Sequence, residues 1–348
     1  MKKELMELSA IGGISGFEYA ITGHVKDLLL RYCDEVSSDR MGNVIGLRKS
    51  KKENAKKVML EAHIDGIGLM VKDIDERGFI TFVSIGGVDT RILPSAEVIV
   101  CGKEALFGVI GAKPPHLQKA GDGEKTVKIE DMAIDVGLPA DKVRRLVSVG
   151  DMITFSGGAK KLLGKTISGK YMDDRAGLIS LLICLDELKD TELDFDLVVL
   201  AAVQEEVGCR GAVMGTFSIE PDYAFVVDVC HGDTPDSGTD SAFTLGTGTV
   251  ISLGPNIHPL LAAIAKNAAK ENKIAHSIDV DGGETGTDAW EVQVSKKGVP
   301  TLLLSIPLRY MHTTVETLSF DDVNATGKLL AACLTKINQE APVCTFQI

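Results

Sequence analysis

Apolar and polar positions follow three textures along the chain. At the start, KKELMELSAI has the spacing of a one-sided helix, and GGISGFE follows as a Gly-rich turn. A second helix is predicted over Ala20 to Tyr32, then NVIGLRK and KVMLEAHID read as strands, the latter nearly all apolar up to His63. From Gly68 to Thr166 the pieces FITFVSI, EVIVCG, LFGVIGA, MAIDVG and DMITFSG alternate with Gly, Pro and Asp turns. That spacing predicts a small β-barrel or sandwich. It is interrupted by one short helix, about Ala140 to Val147, and KPPHLQKAGDGEKT reads as a mobile loop. Strands and helices then alternate again. AGLISLLICLDELK, NIHPLLAAIAKNAAKEN and DDVNATGKLLAACLTKINQ are predicted helices; FDLVVLAAV, YAFVVDV and PTLLLSIP are predicted strands. Continuously apolar strands between helices argue a three-layer α/β/α sandwich around a mixed or parallel sheet. The expected plan is one discontinuous α/β domain, residues 1–67 and 167–348, with a β-barrel domain inserted at 68–166.

Composition narrows the class. The 348 residues are more than one core usually organises, in keeping with two domains. A 45% hydrophobic, 25% charged balance is that of a soluble globular protein. A net charge of −12 argues against a nucleic-acid partner, and no basic amphipathic or long apolar stretch suits a membrane. The N-terminus has two lysines, but Glu4 and Glu7 stand where a signal peptide needs an apolar run. Seven cysteines form no CxxC pair, so reduced thiols in a cytoplasmic protein are expected.

The candidate chemistry sits where apolar runs stop. EAHID places His63 and Asp65 there, and YMDDRAG places Asp173 and Asp174 before a helix. QEEVG places Glu205 and Glu206, VVDVCHG places Asp228, and LRYMHTTVE places His312. Taken singly, these are ordinary strand-end charges, a helix cap, a turn aspartate and a boundary histidine. Together they are five strand-end clusters of metal-ligand types, and ligands in open α/β sheets bind beyond the carboxyl ends of the strands. Imidazoles and carboxylates without a cysteine motif suit Zn²⁺, Co²⁺ or Mn²⁺. A two-metal hydrolytic site needs one bridging carboxylate, further ligands on each side and a free carboxylate as general base. Neighbours in a strand point opposite ways, so Glu205 and Glu206 cannot both serve unless one leaves strand geometry. The turn at Val207–Gly208 is expected to allow that.

AHIDGIG, MDDRAG, VQEEVGCRGA, GTDAW and IPLRYMHTTVE resemble the motifs of the M42 aminopeptidases, dinuclear-metal exopeptidases that assemble into large tetrahedral particles. The resemblance extends to GVIGAKPPHLQ and VGDMITF, and the long gap from His63 to Asp173 holds an extra domain where that family has one. It implies two divalent ions per chain, with Asp173 bridging them. His63 and Asp228 would complete one position, Glu206 and His312 the other. Glu205 would be the general base toward a metal-bridging water, and Asp65 would orient the His63 imidazole. Short peptides as substrates, and a homododecamer built through the inserted domain, follow from the same resemblance. Asp288 of GTDAW matches a family motif without an assigned role, and Trp290 is bulky where many relatives are small, which bears on the shape of the substrate pocket.

Two other readings compete. Some M42-like proteins have been labelled endoglucanases, and Glu205 and Glu206 would pass as a glycosidase pair. Sugar grooves use stacked aromatics, however, and this chain has one Trp and 5% aromatics; the histidines would also be left without a role. A non-catalytic, self-assembling metal-binding protein is the other, and the complete set of expected ligands argues against it.

Overall fold

The computed structural model describes residues 1–111, 116, 126–238 and 242–340. The chain opens with α1 (Lys2–Ala10), α2 (Tyr19–Leu29), β1 (Glu35–Ser38), β2 (Val44–Arg48) and β3 (Lys56–His63). β4 (Gly68–Ile74), β5 (Ile80–Ile85), β6 (Glu97–Cys101), β7 (Ala105–Ile110), β8 (Ile134–Asp135), α3 (Ala140–Leu146) and β9 (Met152–Phe155) follow. Next come β10 (Lys160–Lys161), β11 (Thr166–Gly169), α4 (Met172–Glu187), β12 (Phe195–Ala202), α5 (Arg210–Ile219) and β13 (Tyr223–His231). The last stretch holds β14 (Thr249–Leu253), α6 (Pro259–Glu271), β15 (His276–Val280), α7 (Asp288–Val292), β16 (Thr301–Arg309), β17 (Glu316–Ser319) and α8 (Phe320–Glu340).

An 11-stranded mixed sheet runs β1-β2-β12-β3-β13-β16-β17-β11-β10, with β14 on β16 and β15 on β14. Its centre, β12-β3-β13-β16, is parallel, so those four strands end on one edge. Parallel strands covered on both faces are near-continuously apolar, as LVVLAAV at residues 197–203 is. The helix α4 is buried along nearly its whole length and packs on β3, β13 and α8. That explains a helix without a polar stripe in AGLISLLICLDELK. α5 and α7 pack together on β12, β13 and β16.

The inserted strands close into a barrel, β4-β5-β8-β7-β6-β9. It has its own core, including Leu69, Phe82, Val98, Ile134 and Ile153. The barrel strands end at Phe155, and β10 and β11 already pair into the large sheet. The fold is therefore the expected α/β sandwich with an inserted small barrel. KPPHLQKAGDGEKT lies outside the described residues except for residues 116 and 126. No helix among the described residues is long and apolar enough to cross a membrane.

Candidate metal centre and active site

The carboxyl edge of the parallel strands carries the polar clusters. His63 is the last residue of β3, Asp228 lies near the end of β13, and the segment after β16 carries His312. Tyr310 and His312 both adopt a left-handed backbone (φ 59°), a tight turn that swings the His312 ring back over the edge. Asp173 stands between the two imidazoles. Its Oδ1 is 3.0 Å from His63 Nε2, and its Oδ2 is 3.4 Å from His312 Nε2. Asp228 Oδ1 lies 3.9 Å from His63 Nε2, and Glu206 Oε2 lies 3.2 Å from His312 Nε2. Two groups of prospective ligand atoms result. Those of His63, Asp174 and Asp228 lie within 4.8 Å of one another, as do those of Asp173, Glu206 and His312.

Asp174 thus enters the first group beside the expected residues. Its Oδ1 accepts from Gly177 N (3.0 Å), an ordinary cap of α4, while its buried Oδ2 has no hydrogen-bond partner. Both aspartates depart from helical backbone angles, so the regular helix begins after them.

Glu205 and Glu206 have both left the strand. β12 stops at Ala202, and Gln204 (φ 57°), not only Gly208 (φ 115°), takes the left-handed turn. The turn therefore starts earlier than Val207–Gly208, and the two glutamates diverge. Glu206 faces His312, while Glu205 contacts Cys209 Sγ at 3.7 Å and lines the cavity. Asp65, fully buried, holds this turn. Its Oδ1 accepts from Glu205 N (3.1 Å) and its Oδ2 from Glu206 N (3.2 Å) and from the Ser15 hydroxyl. Asp65 Oδ1 also lies 3.5 Å from His63 Nδ1.

Sequence reasoning missed Glu316. This buried carboxylate accepts from Met172 N (2.7 Å), Asp173 N (3.3 Å) and His312 N (3.0 Å), tying the Asp173 and His312 segments together. Its signal was its place four residues after His312. The barrel also reaches the site. A Cβ on Gly87, just past β5, would stand 2.8 Å from His312 Nδ1.

The electrostatics are those of crowded buried anions. Burial pushes Glu205 up to about 7 and Glu206 up to about 10, with the neighbouring carboxylates adding to it. Burial also raises Asp228, Asp174 and Glu316 well above the carboxylate range. Asp173 moves the other way: burial opposes its charge, but hydrogen bonds from His312 and His63 outweigh it. Apart from Asp173, the crowding of desolvated carboxylates disfavours their charged forms, a penalty that bound cations would offset.

A cavity of about 520 Å³ opens beside Asp173, Glu205, Asp228 and His312. Asp279 and Asp281 also line it, and no Lys or Arg does among the described residues. Trp290, half-buried in α7, does not line it, so its bulk does not shape this cavity.

Residues 42–329 match the model of a family described as M42 glutamyl aminopeptidase. Lysyl aminopeptidase of Pyrococcus furiosus is 36% identical over 330 residues, 93% of this chain and 94% of that protein. The TET aminopeptidase of a marine-sediment Thaumarchaeota archaeon superposes with a TM-score of 0.91 at 28% identity, over 97% of this chain and 98% of that one. The TET1 peptidase of Pyrococcus horikoshii, which can assemble into a tetrahedron or a large octahedral shell, gives 0.83 at 33% identity over 95% and 98%. With the match spanning most of its length, this chain belongs to the M42 glutamyl aminopeptidase family of metal-dependent peptidases.

Proposed function

We propose that this protein is a two-metal aminopeptidase that removes N-terminal residues from short peptides. The observation that carries the reading is Asp173, whose two oxygens face His63 on one side and His312 on the other. The donors fit a pair of divalent ions. Imidazole nitrogens and carboxylate oxygens converge without sulfur in either position, and buried Asp174 Oδ2 is left without a hydrogen bond. His63 and Asp228 would hold one ion and Glu206 and His312 the other, with Asp173 available to both. Asp174 lies close enough to adjust the first position. Zn²⁺, Co²⁺ and Mn²⁺ all suit this set. Two such ions, when bound, supply Lewis acidity at the scissile carbonyl and make the attacking water a stronger acid.

The protein's own groups supply the rest. Glu205, which lines the cavity beside Asp173 and faces neither proposed metal position, accepts the proton of the attacking water and returns it to the departing amine. Asp65 and Glu316 fix the backbone on either side, so the Glu205 and His312 side chains need no rearrangement. Asp279 and Asp281, the cavity carboxylates with no part in the metal positions, favour a cationic N-terminal side chain, the kind named for the Pyrococcus furiosus relative, over an acidic one. Assembly through the barrel to a homododecamer would place the sites inside a particle that admits only short or unfolded chains. Phe107 and Val109, exposed on the same side of β7, give the barrel an apolar contact surface. A cytoplasmic location fits reduced cysteines.

The test is hydrolysis of aminoacyl chromogenic substrates before and after exhaustive chelation, with metal added back. Activity must vanish and return, and lysyl substrates must outrun glutamyl ones. Full activity after chelation would end the two-metal reading; a glutamyl preference would end the assignment of the cavity.

A further inference from the structure

Neither proposed metal position uses Cys209 or Asp288, yet the two stand together behind the general base. The thiol of Cys209 and one carboxylate oxygen each of Glu205 and Asp288 lie within 4.8 Å of one another. The turn after β12 creates the arrangement. Cys209 N donates to Glu205 O (2.9 Å), Cys209 adopts a left-handed backbone (φ 55°), and its Sγ reaches Glu205 Oε1 at 3.7 Å. Asp288 comes from the start of α7, which packs on α5, and is only 1% exposed. No backbone amide, hydroxyl or cationic side chain donates to either of its oxygens among the described residues; the groups within hydrogen-bonding reach are the Cys209 thiol and the Glu61 carboxyl. Behind it the fully buried carboxyl of Glu61 faces Asp288 and shares a hydrogen bond with it when one of the two is protonated, with no other donor to Glu61 among the described residues. Buried carboxyl oxygens are rarely left without a donor, because losing water uncompensated is costly.

We propose that Glu205, Cys209 and Asp288 form a third, inhibitory site for a thiophilic divalent cation, with Zn²⁺ the natural occupant. The donors are one sulfur and two carboxylates, a set that suits Zn²⁺ and excludes Mg²⁺ or Ca²⁺. Ligand atoms around tetrahedral zinc stand roughly 3.5 Å apart, so the three side chains need only a small closure. On binding, the Cys209 thiol releases its proton to solvent as the sulfur–metal bond forms. The carboxylate of Glu205 then points its lone pairs at the cation and no longer accepts a proton from water. Excess zinc would stop the enzyme while both working positions stay filled. The inhibitory consequence rests on the assignment of Glu205 as base; the site itself does not.

The intact protein, loaded with two Zn²⁺ per chain, is titrated with Cd²⁺ while ultraviolet absorption and peptidase activity are followed together. Neither working position contains sulfur, and Cys230 and the other free thiols are subtracted by repeating the titration on Cys209→Ser, so the Cys209-dependent part of a sulfur-to-Cd²⁺ charge-transfer band reports this site even if some zinc exchanges. The band should saturate at one Cd²⁺ per chain, with activity falling in parallel and returning on brief chelation. Cys209→Ser should abolish the band and raise the inhibitory Zn²⁺ concentration at least about tenfold. Asp288→Asn should keep the band but weaken Cd²⁺ binding by a similar factor. No band in the parent protein, or an unchanged band in Cys209→Ser, overturns the site. If Cys209→Ser does not fold, unchanged Cd²⁺ affinity in Asp288→Asn overturns it equally. A protein that is inactive with two Zn²⁺ yet shows the Cys209-dependent band retains the third site and loses the aminopeptidase reading.

Discussion

Glu205 and Glu206 are adjacent in the chain yet face different partners, so their glutamine variants should fail in different ways. Glu205→Gln keeps the size of the side chain and both backbone bonds to Asp65 but cannot take a proton. It should retain two metals per chain and lose about 10²- to 10⁴-fold in kcat. Glu206→Gln removes an anionic donor facing His312, so one metal should be lost and activity partly recovered at high metal concentration. Metal content beside kcat decides it: if Glu205→Gln loses metal and Glu206→Gln keeps two and is dead, the roles are exchanged. At this scale the candidate site was legible where an apolar run stops at a lone donor, as at His63 and Asp228. Glu316 and Cys209 were not, because their importance comes from what the backbone brings beside them. Glu316 shows only as one more glutamate until its three backbone donors are seen.

The elements that hold the site include one from outside the sheet. The Gly86–Gly87 bend after β5 carries the barrel up to His312, and a side chain at Gly87 fits only if the His312 imidazole moves. Gly87→Ala should push the imidazole off its position and weaken one metal more than the other, read as a selective fall in one step of a metal titration. Another junction joins α8 to the loop before β14. Buried Asp322 accepts from Gly246 N and Gly248 N (2.7 Å each), and burial raises it to about 6. A carboxyl raised on folding favours the native state when protonated, so its contribution is present below about pH 4 and is lost as pH rises to about 6. That loss amounts to about 3 kcal/mol at most. Asp322→Asn should be less stable at low pH, having one acceptor fewer, but the gap from the parent protein should narrow between pH 4 and 6. A constant gap in denaturant midpoints would show that Asp322 carries no such penalty. The long apolar strands and the barrel could be read from periodicity because burial on both faces, or alternation between turns, marks the chain directly. The short elements β14, β15, β17, α5 and α7 could not. β15 is polar and sits at the sheet edge, and α5 begins in the turn that sets the glutamates, so neither carries a periodic signal of its own.

Across the whole molecule, the prospective ligands come from β3, the start of α4, the turn after β12, β13 and the segment after β16, spanning His63 to His312. Cations bound there tie distant segments together and bind the native state alone, which adds about 2.7 kcal/mol for each site held at a hundred times its dissociation constant. Removing them leaves buried carboxylates facing one another across the carboxyl edge, next to the Gly86–Gly87 bend that anchors the barrel. If the barrel is the assembly surface, loss of metal should therefore loosen its attachment as well as lower the melting temperature. Metal-loaded protein should scatter with a mass near twelve chains of 37.1 kDa. Chelation should shift it toward dimers, and restored metal should rebuild the particle at a rate that depends on protein concentration. Replacing exposed Phe107 and Val109 with Ser separates the two effects. That variant should remain small even with metal bound, while keeping hydrolysis of a single-residue chromogenic substrate, because both side chains are remote from the ligand clusters in sequence and lie on the barrel's outer face. A twelve-chain particle that survives both chelation and this substitution would place the assembly contacts elsewhere on the molecule.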